Sequence, residues 1–185
     1  MHTLPNKYAL LALAALMTLV MALVLAAGAL AADGGNSASA KLCQKGAWQG
    51  LMDSSANAFA GQDECVSYGA HGGAIYALAT LKVERCPDQP FDGLCVRTSG
   101  SGLAPTTLVT TPLLKNGAPV TTEFLVVKAD ETVDGSPFAH FEAPCVDGNA
   151  YAATASGTSA DSLSAPTQPG VPITSNTVER TSACP

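Results

Sequence analysis

Six cysteines, at positions 43, 65, 86, 95, 145 and 184, carry the most legible chemistry in this 185-residue chain. An even number in an exported chain is most simply a disulfide framework, although sequence alone leaves the pairing open. Their spacing suggests that neighbours join in order, Cys43 with Cys65, Cys86 with Cys95 and Cys145 with Cys184. Closing a loop as long as the first contributes on the order of 3 kcal/mol in the loop-entropy picture.

Other reactive groups are sparse. Nucleophilic catalysis needs a nucleophile beside a base that a third group orients. The histidines available beyond the first residues are His71 and His140, and no Gly-x-Ser-x-Gly elbow occurs: Gly157-Thr158-Ser159-Ala160-Asp161 lacks the second glycine. A paired cysteine is no thiolate, and Cys-x-x-Cys is absent, so sulfur nucleophiles and redox exchange are not expected either. Zinc would need Cys and His at short spacing. For calcium, Asp63-Glu64 and Asp130-Glu131 with Asp134 offer oxygens without the Asp-x-Asp-x-Asp-Gly loop, and read as solvated turns. His71 beside Gly72-Gly73 reads as a turn residue and His140 as strand surface. The expectation is a chain without catalytic residues, metal site or cofactor.

Trp48 is the one tryptophan and lies inside the loop that Cys65 would close. A tryptophan in a small stapled loop covers the disulfide and supplies apolar area, with Phe59, Val66 and Tyr68 as its natural partners. Alternatively, Trp48 and Tyr68 stand exposed and anchor an extracellular protein or a polysaccharide, as aromatics do at binding hot spots.

The elements that would position these residues begin after an export segment. His2 and Lys7 precede an apolar run from Tyr8 to Ala27, and Ala29-Leu30-Ala31 presents small residues where a signal peptidase reads. Residues 1–31 are thus a signal peptide or, if uncleaved, a membrane anchor, since the run approaches the ~20 residues that span a bilayer. Either way the remainder faces outward, secreted or anchored. Residues 32–42 read as a flexible leader, 43–82 as a cysteine and tryptophan segment, and 83–185 as the main domain. A net charge of −6 repels phosphate backbones and anionic membrane surfaces, so nucleic acid is not an expected partner. The apolar residues are rich in alanine and valine, which predicts a thin core.

Ala74–Lys82 fits either a helical face or a buried strand. Beyond it, short β-branched and aromatic runs separated by turn residues predict strands at Leu94–Ser99, Thr106–Leu113, Thr121–Ala129, Thr132–Asp134, Phe138–Glu142, Asn149–Ser156 and Ile173–Arg180. Within them Tyr151, Ala153 and Ala155 share one face, as do Thr122, Phe124 and Val126. Residues 157–172, with Pro166, Pro169 and Pro172, read as a long surface loop. The expected fold is an all-β antiparallel sandwich.

Two resemblances sharpen this. "SGSGLAPTT" (99–107), "NG" (116–117), "DGSPFAHFEAPC" (134–145) and "AYAATASGTSADS" resemble a bacterial extracellular immunoglobulin-like domain. "CQKGAW" followed by "AFAGQDECVSYGAHGG" is similar to a Cys-x-x-Gly-x-Trp segment recurring in exported bacterial proteins, to which no activity attaches. Together they imply an extracellular structural or binding module. The alternatives are an adhesive or ligand-binding domain working through sandwich-end loops or residues 157–172, and a secreted hydrolase or hydrolase inhibitor presenting "CPDQPFDGLC" (86–95).

Overall fold

A computed structural model describes residues 38–89 and 92–185. The export segment expected at 1–31, and 32–37 of the leader, lie outside the described residues. Residues 38–42, expected as flexible leader, are instead helical, and Ser39 is buried. No helix among the described residues is long and apolar enough to cross a membrane.

The first segment holds a 3-10 turn at Ala47–Gly50, strand β1 (Leu51–Met52), helix α1 (Gln62–Ala70) and strand β2 (Tyr76–Ala77), which pairs antiparallel with β1. Helix α1 was not expected. Its start is marked by Asp63 and Glu64 in the first turn, where acidic side chains face the positive helix end, and Glu64 accepts a hydrogen bond from the Ala60 amide at 2.6 Å.

Eight more strands follow: β3 (Thr80–Arg85), β4 (Gly93–Ser101), β5 (Leu108–Lys115), β6 (Ala118–Val126), β7 (Val133–Asp134), β8 (Phe138–Phe141), β9 (Ala150–Thr158) and β10 (Pro172–Thr181). Strand β4 takes β3 on one side and β7 and β8 on the other, while the second sheet runs β10-β9-β5-β6, all antiparallel. The hairpins β3–β4 and β9–β10 each stay in one sheet and the links between β4 and β5 and between β8 and β9 change sheets. This is the Greek-key wiring of an immunoglobulin-like sandwich. The ambiguous Ala74–Lys82 resolves into β2 and the start of β3, so the sandwich opens at Thr80, not at 83. The β5–β6 turn is Asn116-Gly117, with φ of 49° and 82°, the two positive values that a two-residue hairpin of matching twist requires.

The core differs from the thin, alanine-heavy interior the composition predicts. Its larger members are leucines and valines with Ile173, Met52, Tyr76 and Tyr151, and its alanines are Ala74, Ala153 and Ala155. Most of the other alanines of the described residues lie outside this core, at exposed or half-buried positions. Tyr151, Ala153 and Ala155 do share the inner face. Deep between the sheets the hydroxyls of Thr98 and Thr111 bond each other at 2.9 Å, which satisfies both buried groups.

All three disulfides join sequence neighbours: Cys43–Cys65, Cys86–Cys95 and Cys145–Cys184. The first organises a small satellite core of Cys43, Leu51, Phe59, Cys65 and Ile75. Of residues 157–172, read from sequence as a long surface loop, Gly157, Thr158 and Pro172 belong to strands because they extend the β9–β10 ladder, and 159–171 strap the first segment onto the sandwich. The Leu163 amide donates to the Ile75 carbonyl at 2.8 Å, the Ser162 hydroxyl donates to the same carbonyl, and the Ile75 amide donates to the Ser164 hydroxyl. The strap's backbone is thereby paired where it is buried, which a loop packed on a core must achieve.

Candidate functional site

The two aromatics singled out by the sequence both serve the satellite core. Trp48 lies half-buried against the Cys43–Cys65 cluster, in company with Val66 and Tyr68. The Tyr68 ring meets Phe59 with centroids 5.6 Å apart, and its hydroxyl bonds the Ser54 hydroxyl at 2.9 Å and accepts the Ser54 amide. Gly73 leaves the room: a Cβ there would come within 2.3 Å of the Tyr68 ring. Both rings pack on this cluster and stay partly exposed.

The histidines sit apart in partners and setting. His71 caps the carboxyl end of α1, its Nδ1 2.7 Å from the Ser67 carbonyl. His140 is half-buried rather than plain strand surface; its Nε2 stands 3.6 Å from Glu142 Oε1, and its ring centroid lies 6.5 Å from that of Tyr151. Glu142 also pairs with Lys115 across the two sheets, and that ammonium holds its carboxyl below the usual range despite burial. Neither histidine bonds a serine or cysteine side chain among the described residues.

The best-satisfied polar cluster centres on Asp92, in the Cys86–Cys95 loop and only 2% exposed. Its carboxylate accepts from the Tyr151 hydroxyl at 2.8 Å, the Val146 amide at 2.9 Å and the Asn149 amide at 3.1 Å. Burial pushes the Asp92 carboxyl up, but the bonds from Tyr151, Val146, Asn149 and Ser182 outweigh it and leave the group below its ordinary value. The Tyr151 hydroxyl moves the other way, raised by burial and by the carboxylate beside it. Through these bonds the cluster bolts loop 86–95 to the start of β9. In the same loop Gln89 bonds back to the Cys86 carbonyl and to both backbone groups of Cys95, Asp92 and Leu94 are buried, and Pro87 and Asp88 are exposed. Its residues 90 and 91 lie outside the described residues.

The acidic groups expected to be solvated are exposed at Asp63, Glu64, Asp130 and Asp134, and several also bond within the chain. Asp130 accepts from the Thr132 hydroxyl at 2.6 Å, and Asp134 holds Arg97 through both carboxylate oxygens. No cluster of three or more metal-ligating side chains forms among the described residues.

The outer face of the β10-β9-β5-β6 sheet presents a different surface. Near its Asn116-Gly117 end it carries a concavity of about 350 Å³, lined by Leu114, Ala150, Ala152, Glu179 and Thr181 among others. The register explains the hollow: Ala152 stands opposite Glu179 on β10 and Leu114 on β5, and Ala150 stands opposite Thr181. Small outward side chains on the central strand leave a floor between taller neighbours. Further along, exposed hydroxyls pair across strands, Thr110 with Ser156 at 3.0 Å and Thr154 with Thr177 at 2.8 Å. At the β5–β6 margin the face turns apolar, with Leu108 53%, Phe124 64% and Val126 62% exposed. This surface offers shape, hydroxyls and one carboxylate, and it holds no arranged base or nucleophile.

Sequence reasoning passed over this concavity because its floor is alanine, which reads as filler unless the neighbouring strands are known. No protein-family model, no curated protein and no solved structure matches the chain.

Proposed function

We propose that the chain is an exported, non-catalytic immunoglobulin-like module, secreted or anchored facing outward, that binds an extracellular protein or polysaccharide on the outer face of its four-stranded sheet. The observation that carries this reading is the alanine-floored concavity beside Glu179 and Thr181, continuous with a rigid row of hydroxyls. A preformed hollow with a few polar groups on rigid strands is what recognition without chemistry needs. Three disulfides fit an oxidising compartment, and the acidic surface does not favour nucleic acid.

The test fills the hollow without touching the core. Ala152→Trp projects a ring outward from the floor, and Leu163→Trp, at an exposed position on the strap, is the control. Retention of the purified protein on cell-envelope polysaccharide and on envelope protein fractions is then measured. The expected result is a loss of about tenfold or more for Ala152→Trp on one of the two fractions, roughly 1.4 kcal/mol, with the control unchanged. Equal retention of all three proteins contradicts the reading.

A further inference from the structure

The two margins of the β10-β9-β5-β6 sheet are β10 and β6, and among the described residues β10 alone bonds the backbone of the opposite sheet's margin. On β10 the ladder shifts register between Thr174 and Thr177, and the Asn176 side chain reaches to the opposite sheet. There its Oδ1 accepts the Val83 amide at 3.0 Å and its Nδ2 donates to the Val83 carbonyl at 2.9 Å. One amide side chain thus imitates a missing strand for β3 and closes the sandwich along that seam.

Strand β6 has no such cover among the described residues. The Val127 amide donates to the Thr107 carbonyl, and the Val127 carbonyl accepts from Thr106, so this residue's backbone points at the β5 side. The register then runs unbroken from Leu108 opposite Val126 to Leu113 opposite Thr121. Backbone direction alternates along an antiparallel ladder, so the N–H and C=O groups of Thr122, Phe124 and Val126 point away from β5 into the open. The same residues carry the exposed apolar side chains. A margin that offers both unpaired backbone and apolar side chains is a template for another extended strand.

We infer that β6 pairs antiparallel with β6 of a second copy of this chain, about a two-fold axis at Phe124, joining two four-stranded sheets into one. Charge and symmetry select this occupant. Two copies of a chain with net charge −6 repel each other over most approaches, but the outward row Leu108, Thr110, Thr122, Phe124 and Val126 has no charge on either copy. Antiparallel pairing of a strand with itself satisfies a closed two-fold automatically. Centred on Phe124, it sets that ring against its mate, Thr122 against Val126 and Glu123 against Leu125. The register centred one residue earlier would oppose the two Glu123 carboxylates directly, which is destabilising. The pairing covers one strand margin, little against the roughly 1,200 Å² of a standard interface, so the dimer is weak and concentration-dependent. The concavity used in the proposed function lies on β5, β9 and β10 and stays open in the pair.

Sedimentation equilibrium of the natively purified protein over a wide concentration range is the first test, and the expected mass rises toward twice the monomer's. Phe124→Lys places a charge on the axis and is expected to keep the chain monomeric with an unchanged melting midpoint. Phe124→Cys is expected to form an intermolecular disulfide on mild oxidation, whereas Leu163→Cys, exposed but far along the chain in the strap, does not. A wild type that stays monomeric at the highest concentration overturns the inference. So does a dimer that survives Phe124→Lys, or a Phe124→Cys chain that crosslinks no faster than the control.

Discussion

The β10 and β6 margins belong to one sheet, yet the molecule treats them in opposite ways. Strand β10 begins at Pro172, breaks its ladder and spends Asn176 on the Val83 backbone of the facing sheet. Strand β6 shifts its ladder near its start, where Leu114 stands opposite Pro119 after Leu113 opposite Thr121, then runs regularly to Val126 and turns Phe124 and Val126 to solvent. Its protective features are Pro119 and the shifted ladder at its start, and Glu123, an inward-pointing charge of the kind that discourages strand addition. Its carboxylate takes a hydrogen bond from Thr98, while Oε2 is buried without a bond. The contrast lies in the stretch Thr122–Val126: a proline and a shifted ladder guard the start of each strand's margin, but β6 has no counterpart to the Asn176 bonds among the described residues.

Breaking the closed margin has the largest expected effect. Asn176→Ala removes both bonds to Val83 and should lower stability by about 1–2 kcal/mol, measured by chemical denaturation. It also opens β3, so association at a given concentration should increase, the reverse of a mutation that merely loosens the fold. Sharpening the open margin gives a smaller change of opposite sign. Burial raises the Glu123 carboxyl above its ordinary value, only partly offset by the Thr98 hydroxyl. The folded state therefore disfavours the ionised form, and the wild type loses stability as pH rises through the ordinary glutamate range to the raised folded value. Glu123→Gln should gain about 1 kcal/mol at neutral pH. That gain should vanish in acid, which melting curves across pH would record. Phe124→Ala, at a position that touches mostly solvent, should change monomer stability by no more than about 0.5 kcal/mol while reducing self-association.

Much of this fold was readable from the chain. The strands from β4 to β10 follow runs of β-branched and aromatic residues between turn residues such as Asn116-Gly117 and Asp147-Gly148, because those turns have local backbone requirements. The disulfide neighbours followed from spacing. Local rules fail where distant packing decides. Ala74–Lys82 suits two periodicities, and its place against β4 made it strand. Residues 159–171 carry prolines that say loop, but only the position of Ile75 makes them a strap. Helix α1 had a signal in Asp63-Glu64 after Gly61 that its cysteine and tryptophan surroundings obscured.

The candidate site was less legible. Thr122, Phe124 and Val126 were correctly grouped on one face, but alternation does not say which face is inside or whether the strand is central or marginal. Asn176 looks like a turn residue in sequence, and its partner lies 93 positions away. Trp48 reads from sequence as cover for the stapled loop because a short loop lacks other large apolar area, and it does pack, half-buried, on the satellite core.

Hydrogen exchange resolved to single amides, in dilute solution where the chain is monomeric, compares the two margins directly. The Val83 amide, held by Asn176, should exchange slowly with the body of the sandwich, and the Phe124 amide, pointing away from β5, should exchange faster by about tenfold or more. Equal protection at the two positions would mean that β6 is covered after all, and the distinction between a closed and an open margin would fall.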